Sequence, residues 1–126
     1  MKDIQNIENI ILLVDSFYDK VNNDPLLSPV FNDIAKVNWK EHLPVMYSFW
    51  SAVLFETNTY KGQPLASHIN LPIDPGHFKR WLELFRQTVD ENFKGEKADE
   101  AKYRADTIAV IFQTKLGLIR DDLRIV

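Results

Sequence analysis

Cysteine is absent from the 126 residues of this sequence. Its absence excludes disulfide bonds, thiolate metal sites, iron–sulfur clusters and covalent haem attachment through a Cys-x-x-Cys-His motif. It also excludes a cysteine nucleophile. Histidine is scarce as well, because it occurs only at His42, His68 and His77. The chain therefore has no thiol and only three imidazole groups for metal binding or acid–base chemistry.

Long apolar runs and clusters of one charge sign are also missing. The net charge is −3, from 15 Lys and Arg against 18 Asp and Glu, and no basic run stands out. Binding to nucleic acid or to an anionic membrane is therefore not expected. No apolar run approaches membrane-spanning length, and the first ten residues, MKDIQNIENI, carry charges where a signal peptide would be apolar. We expect a cytoplasmic protein.

Sequence motifs for several common chemistries are missing too. We find no glycine-rich phosphate loop, no His-Glu-x-x-His helix and no Ser/His/Asp grouping. The paired Glu-x-x-His motifs of a di-iron bundle are also absent. These absences weigh against a hydrolase and against a nucleotide-binding protein.

Apolar residues make up 45% of the chain and aromatic residues 12%, which is enough for a substantial core. They recur at intervals of three and four, and strand signals are nearly absent, so we predict an all-α fold. The length suits a single domain over residues 1–126. The aromatic surplus suits a core built around a large planar group, although an ordinary aromatic core explains it too.

Proline, glycine and aspartate mark where the helices start and stop. The Asp-Pro pair at 74–75 gives a helix cap followed by a proline in the first turn, and the pair at 24–25 repeats this before a short helical piece. Gly95 ends the third long helix and Gly117 ends the fourth. Proline is tolerated in the first turn of a helix. Pro44 therefore predicts that the second helix begins only a few residues before it. The long helices are predicted along an apolar stripe from Ile7 to Val21, from about Trp39 to Phe55 with a start near Lys40, from Pro75 to Phe93, and from about Glu96 to Leu116.

The stretch PLASHINLPIDPGHFKRW, residues 64–81, places a histidine on a very short helical piece. Between Pro64 and Pro75 there is room for barely two turns, and the neighbours of His68 are too small or too apolar to partner its ring. A pH switch, a metal ligand and a surface residue all fit this pattern alone. A histidine that binds a metal needs one ring nitrogen aimed at the metal and the other held by a carbonyl or water. A short helix end with stiff prolines supplies such carbonyls.

Four segments in chain order resemble the third group of the truncated haemoglobins: FYDKVNNDPLLSPVFN, WKEHLPVMYSFWSAVLF, YKGQPLASHINLP and HFKRWLELF. The resemblance runs from about Phe17 to Phe93, and the last helix fits the final helix of that family. The Gly-Gly motifs of the other groups are missing, which favours the third group. The resemblance implies a truncated globin-like, two-over-two helical sandwich around non-covalent haem b.

The same resemblance assigns roles to individual residues. His68 matches the proximal iron ligand, and Tyr18 and Trp81 match the distal hydrogen-bond donors, although by spacing alone both are ordinary core residues. His42 matches a distal position, where it could hydrogen-bond a ligand, gate access, bind iron or be merely structural. His77 is expected to face solvent, or else a haem propionate. The residues that would line a haem pocket, or form a simple core without haem, are Phe31, Met46, Phe49, Phe78, Leu82, Phe85 and Ile108.

Two classes of function follow from these assignments. As a haem protein, the chain would bind dioxygen, carbon monoxide and nitric oxide. A polar distal pocket holds dioxygen tightly, which favours redox chemistry or detoxification of dioxygen, nitric oxide or peroxide over delivery. Such a dioxygenase- or peroxidase-like oxidoreductase needs a reductase partner, which nothing in the sequence identifies. The alternatives are a reversible oxygen carrier or haem-based sensor and, from another class, a haem-free helical module that binds a partner through the same aromatic face.

Overall fold

The computed structural model describes residues 1–56 and 73–117, and all regular structure in these two ranges is helical. Four α-helices, named α1 to α4, cover Ile7–Asn22, Trp39–Phe55, Pro75–Asn92 and Glu96–Lys115. A short π-helix, Pro29–Ile34, lies between α1 and α2. No helix in the described ranges is long and apolar enough to cross a membrane. The predicted all-α fold is confirmed, whereas a single domain over 1–126 stays a prediction.

The helices are arranged as two pairs. Helix α1 packs on α2 and α3 packs on α4, while α1 also contacts α3 and α2 contacts α4. One pair therefore lies over the other, as the two-over-two prediction requires. The centre of the core is aromatic, because Phe17, Trp50 and Phe85 are almost completely buried. Burying a side chain of this size stabilises a fold by roughly 1.5–3 kcal/mol.

The register of α1 differs from the predicted stripe at its first residue. Asn6 caps the helix, and its side-chain oxygen accepts a hydrogen bond from the backbone N–H of Asn9 at 3.0 Å. Ile7 then lies at the helix end and is 49% exposed, while Ile4 from the preceding segment is 1% exposed and fills the core instead. Ile11, on the same predicted stripe, is only partly buried, and the stripe is correct from Val14 onward. The buried residues of the helix are Ile10, Leu13, Val14, Phe17, Tyr18 and Val21.

The predicted helix boundaries are correct to within a residue or two. Helix α2 begins at Trp39, one residue before the predicted start, so that Pro44 lies in its second turn and cannot donate to the carbonyl of Lys40. Asp74 caps α3 as predicted, because its carboxylate accepts from the backbone N–H of Gly76 at 2.8 Å. Gly117, with φ of +76°, follows α4 as predicted.

The N-terminal end of helix α4 is capped by Asp3, a residue near the start of the chain. The carboxylate of Asp3 accepts from the backbone N–H groups of Lys97 and Ala98, each at 2.8 Å. Gly95 makes room for this contact, since a Cβ there would lie 2.6 Å from Cγ of Asp3 and its φ of +146° is unusual for other residues. Burial works to raise the pKa of Asp3, but the backbone N–H groups outweigh it and the pKa is lowered. The N-terminal segment and α4 are therefore joined by a charged cap.

Candidate functional site

Three aromatic rings lie around that of Tyr18, whose side chain is buried between α1 and α2. The ring centroid of Tyr18 lies 5.2 Å from that of Trp39 and 5.5 Å from that of His42. Phe31 of the π-helix is 6.2 Å from Tyr18 and stacks on Trp39 at 5.9 Å. We call these residues, Tyr18, Phe31, Trp39 and His42, the Tyr18 cluster. Three predicted site residues are thus brought together in one place.

The π-helix places Phe31 in this cluster. Its wide turn is closed by hydrogen bonds from the Ala35 N–H to the Val30 carbonyl and from the Val37 N–H to the Phe31 carbonyl, both at 2.9 Å. The indole N–H of Trp39 donates to the side-chain oxygen of Asn32 at 2.8 Å. Because Asn32 in turn donates to the side chain of Asn22 on α1 at 2.9 Å, the π-helix is tied to both flanking helices.

Trp39 is a member of the site to which the sequence analysis assigned no role. It is the first residue of α2 and lies one helical turn before His42, so that both rings contact Tyr18 from the same face. The sequence signal for including Trp39 in the site was its spacing of three residues from His42. However, any two core-facing residues on a helix can have the same spacing. Only the hydrogen bond from Trp39 to Asn32 distinguishes a site residue from an ordinary core residue here.

Trp81 reaches the neighbourhood of Tyr18 from α3. Its ring meets Phe17 edge-on at 5.5 Å, and the ring of Phe17 lies 4.8 Å from that of Tyr18. Phe85 stacks behind Trp81 at 5.8 Å and is itself stacked on Trp50 at 4.8 Å. One phenylalanine ring therefore contacts both predicted donors, and the stacked rings hold the indole in place.

The polar atoms of Tyr18 and Trp81 have no protein partner among the residues that the structure describes. Neither the Tyr18 hydroxyl nor the Trp81 indole N–H hydrogen-bonds to residues 1–56 or 73–117. Burial raises the pKa of the Tyr18 hydroxyl above its ordinary value, so the group stays protonated and can donate. A hydroxyl or an indole N–H without a protein partner can donate to an external ligand.

The predicted lining residues differ in burial. Phe85 and Phe78 are buried, at 0% and 8% exposure, whereas the others are only partly buried. An arrangement of partly open apolar side chains, with hydrogen-bond donors beside them, fits a large, flat, apolar group. The partly buried members that pack against the core are Phe31, Met46, Phe49, Leu82 and Ile108.

His68, the predicted proximal ligand, lies outside the described residues. The side chain of His77 is only 15% exposed, because its Nδ1 accepts from the backbone N–H of Asp74 at 3.1 Å and completes the cap of α3. His77 therefore faces solvent only in part, and it also completes the cap of α3. Within the described ranges, no group of three or more His, Cys, Asp or Glu residues could hold a metal ion.

A shallow surface pocket lies between α1 and α2 beside the cluster. Its volume is about 160 Å³. The hydroxyl of Tyr47 on α2 donates to the carboxylate of Asp15 on α1, and both the burial of Tyr47 and this bond raise its pKa to about 12. This bond joins the two helices near the pocket. The residues that line the pocket are Asp15, Tyr18, Asp19, Asn22, Trp39 and Leu43.

These features define a small helical globin, and comparisons with known proteins bear this out. A family model described as bacterial-like globin matches residues 3–113, and the chain belongs to that family. The chain is similar to group 3 truncated hemoglobin ctb of Campylobacter jejuni, with 36% identity over 115 residues, covering 88% of this chain and 91% of the relative.

A solved structure gives the same result for the fold. The crystal structure of group III truncated hemoglobin from Campylobacter jejuni matches with a TM-score of 0.81 and 36% sequence identity, covering 92% of this chain and 95% of that one. The predicted resemblance to the third group of truncated haemoglobins is confirmed. Membership of the globin family implies a protein that binds haem and diatomic gases.

Proposed function

We propose that this chain binds haem b non-covalently and uses it for redox chemistry on dioxygen, nitric oxide or peroxide, in the manner of a detoxifying oxidoreductase. The observation that carries this proposal is the pair of donors, Tyr18 and Trp81, which contact one phenylalanine ring and have no acceptor among the described residues. Such a pair suits a ligand that gains negative charge when it binds. An oxidoreductase of this kind requires electrons, so we also propose an unidentified reductase as its partner.

The haem would be held by residues from several elements. We propose His68 as the proximal ligand, and the lining is proposed to be Phe31, Met46, Phe49, Phe78, Leu82, Phe85 and Ile108. Bound haem would supply an iron atom with an open position for a diatomic gas. The similar protein from Campylobacter jejuni is named a truncated hemoglobin, which supports this assignment.

The chain's own residues would then determine how firmly a gas is held. The Tyr18 hydroxyl stays protonated because burial raises its pKa, and the stacked rings of Trp81 and Phe85 restrict the indole. Hydrogen bonds to a charged acceptor contribute roughly 1.5–3 kcal/mol each. Two such donors would hold dioxygen too firmly for rapid delivery, which favours chemistry over transport. His42, whose ring contacts that of Tyr18, is proposed as the third polar group of the pocket.

Absorption spectroscopy of the purified, reduced protein tests this proposal. We expect a strong Soret band that shifts when carbon monoxide is added, followed by rapid consumption of nitric oxide by the dioxygen-loaded protein when a reductant is supplied. Slow consumption together with stable, reversible dioxygen binding would instead identify a carrier or sensor. A protein that takes up no haem, even when haem is added, would be a haem-free helical module.

A further inference from the structure

A buried carboxylate lies outside the proposed pocket and has no part in the function described so far. Asp24 is in the turn between α1 and the π-helix, and its side chain is only 2% exposed. One oxygen, Oδ2, accepts from the backbone N–H groups of Leu26 and Leu27 at 3.1 and 3.0 Å. Asp24 therefore shapes the turn that leads to Phe31.

The other oxygen of Asp24 bonds to α3. The Nε–H of Arg80 donates to Oδ1 of Asp24 at 2.7 Å, a short, charge-assisted hydrogen bond. Burial works to raise the pKa of Asp24, but Arg80 and the backbone N–H groups outweigh it and the pKa is lowered, so the carboxylate is charged. Arg80 also donates to Glu83 at 3.2 Å on its own helix. A buried charge thus joins the turn after α1 to the first half of α3.

The hydrogen bond between Arg80 and Asp24 restrains the position of α3 in a way that the nearby apolar contacts do not. Arg80 immediately precedes Trp81, whose contact with α1 is the edge of the Phe17 ring. Contacts between apolar rings allow small shifts at little cost, whereas a charge-assisted hydrogen bond fixes both distance and angle. The first half of α3 is therefore positioned by two contacts, the hydrogen bond from Arg80 to Asp24 and the packing of Trp81 on Phe17.

We propose that Asp24 and Arg80 are positioning residues for the gas-binding pocket, and that the bond between them sets the place of the Trp81 indole N–H relative to the Tyr18 hydroxyl. This inference rests on the proposed function for its consequence in gas binding. Neither residue touches the ligand. Both act through Trp81, which follows Arg80, and through the turn that carries the chain from Tyr18 to Phe31.

The variant Asp24→Asn separates the two roles of the carboxylate. The asparagine oxygen can still accept from the backbone N–H groups of Leu26 and Leu27, but its amide group then faces Arg80, donor against donor. The turn is kept and the bond to α3 is lost. Glu83→Gln is the matched control, because it removes the negative charge of the other partner of Arg80 and leaves the bond to Asp24 in place.

The first measurement is the indole ¹H–¹⁵N resonance of Trp81 in the full-length protein as purified, assigned through Trp81→Phe. The second is the release rate of dioxygen and of carbon monoxide from the haem-loaded protein. We expect Asp24→Asn to move the Trp81 resonance and to speed dioxygen release by about three- to tenfold, while carbon monoxide release changes by less than about twofold. Glu83→Gln should leave all three values unchanged.

Other outcomes would overturn the proposal. An unmoved Trp81 resonance with unchanged release of both gases would show that the Asp24–Arg80 bond has a purely structural role. Equal effects of Asp24→Asn and Glu83→Gln would show the same. If Asp24→Asn does not fold, Arg80→Lys takes its place, since it keeps the positive charge but lacks the Nε–H that meets Asp24. If the wild-type chain takes up no haem, the proposed function fails, but the Trp81 resonance still decides the positioning role.

Discussion

Asp3, at the start of α4, and Tyr18, in the Tyr18 cluster, differ in whether the described residues supply their hydrogen-bond partners. At the junction of Asp3 with α4, each carboxylate oxygen of Asp3 accepts a backbone hydrogen bond from the first turn of α4. In the same region the ammonium of Lys97 donates to the Leu54 carbonyl near the end of α2 at 2.7 Å. At the cluster, the Tyr18 hydroxyl has no acceptor among residues 1–56 and 73–117.

The two regions also differ in what they bury. Helix α4 buries only small side chains, Ala98, Ala101, Ala105 and Ala109, so that its backbone approaches its neighbours closely. Around Tyr18 the buried and half-buried side chains are large rings. At the α4 junction the protein itself supplies the hydrogen-bond partners of Asp3, whereas the Tyr18 hydroxyl is proposed to donate to a ligand. Each of the following variants damages one region and spares the other.

The largest expected effect is on haem retention. His68→Ala should purify almost without haem while keeping most of its helical content, because the proposed proximal ligand is lost and the α4 junction is untouched. The ratio of Soret to protein absorbance and the far-ultraviolet circular dichroism measure both quantities. His77→Gln is the control, since His77 serves the cap of α3. Full haem content and an unchanged reduced spectrum in His68→Ala would rule out the proximal assignment.

Gly95→Ala should damage the scaffold and spare the site. Its Cβ would lie within 2.6 to 2.8 Å of side-chain atoms of Asp3, at a φ that alanine adopts poorly. Strain together with loss of the cap should lower the free energy of unfolding by about 2–4 kcal/mol. Gly117→Ala is the matched control: its φ is also positive, but a Cβ there would have no neighbour within 4 Å.

Urea unfolding of both glycine variants measures this difference. The control should lose only about 1 kcal/mol, from backbone conformation alone. The dioxygen release rate of folded, haem-loaded Gly95→Ala should match that of the wild type. Equal losses of stability in the two variants would contradict the role of Asp3 as the cap of α4.

A smaller effect is expected for Asp3→Asn. The amide can replace one of the two acceptors, so the free energy of unfolding at neutral pH should fall by about 1 kcal/mol. Because the pKa of Asp3 is lowered from its ordinary value of 3.8, its charge stabilises the fold fully above that value. This contribution is lost as the pH falls through the folded pKa. Urea unfolding at pH 7 and pH 3 should therefore show a wild-type advantage that shrinks at pH 3, and an advantage that is constant with pH would be inconsistent with this account.

Local signals in the sequence were sufficient for most of the fold. The Asp74-Pro75 pair, Gly117 and the three-and-four spacing of apolar residues each depend on a few neighbouring residues, so a single sequence displays them. The Asp3 cap could not be predicted, since it joins residues more than ninety positions apart. The exposure of Ile7 followed from the same arrangement, because Ile4 of that segment takes the core position.

The candidate site was predictable only through the family resemblance. Spacing places Tyr18 and Trp81 on apolar stripes, where core residues also lie, so pattern alone could not separate the two roles. The contacts of Trp39 depend on the π-helix, whose wide turn has no simple sequence signal. The bond between Asp24 and Arg80 was missed as well, because Asp24 matches a helix cap and its second oxygen is used across the fold.

The most direct measurement is the release of dioxygen and of carbon monoxide from haem-loaded Tyr18→Phe, Trp81→Phe and the double variant, followed by stopped flow. Dioxygen gains negative charge when it binds and carbon monoxide gains little. Loss of one donor should therefore speed dioxygen release by roughly ten- to a hundredfold, at about 1.4 kcal/mol per decade. The losses should not add in the double variant, because the donors share one acceptor.

Tyr47→Phe is the control for this experiment, since its hydroxyl bonds to Asp15 on the protein itself. It should leave both release rates near those of the wild type, and carbon monoxide release should change little in the Tyr18 and Trp81 variants. Equal acceleration of both gases would show that Tyr18 and Trp81 act by packing. No effect on either gas would place both side chains outside the pocket and contradict the central proposal that the Tyr18 hydroxyl and the Trp81 indole N–H donate to a bound gas.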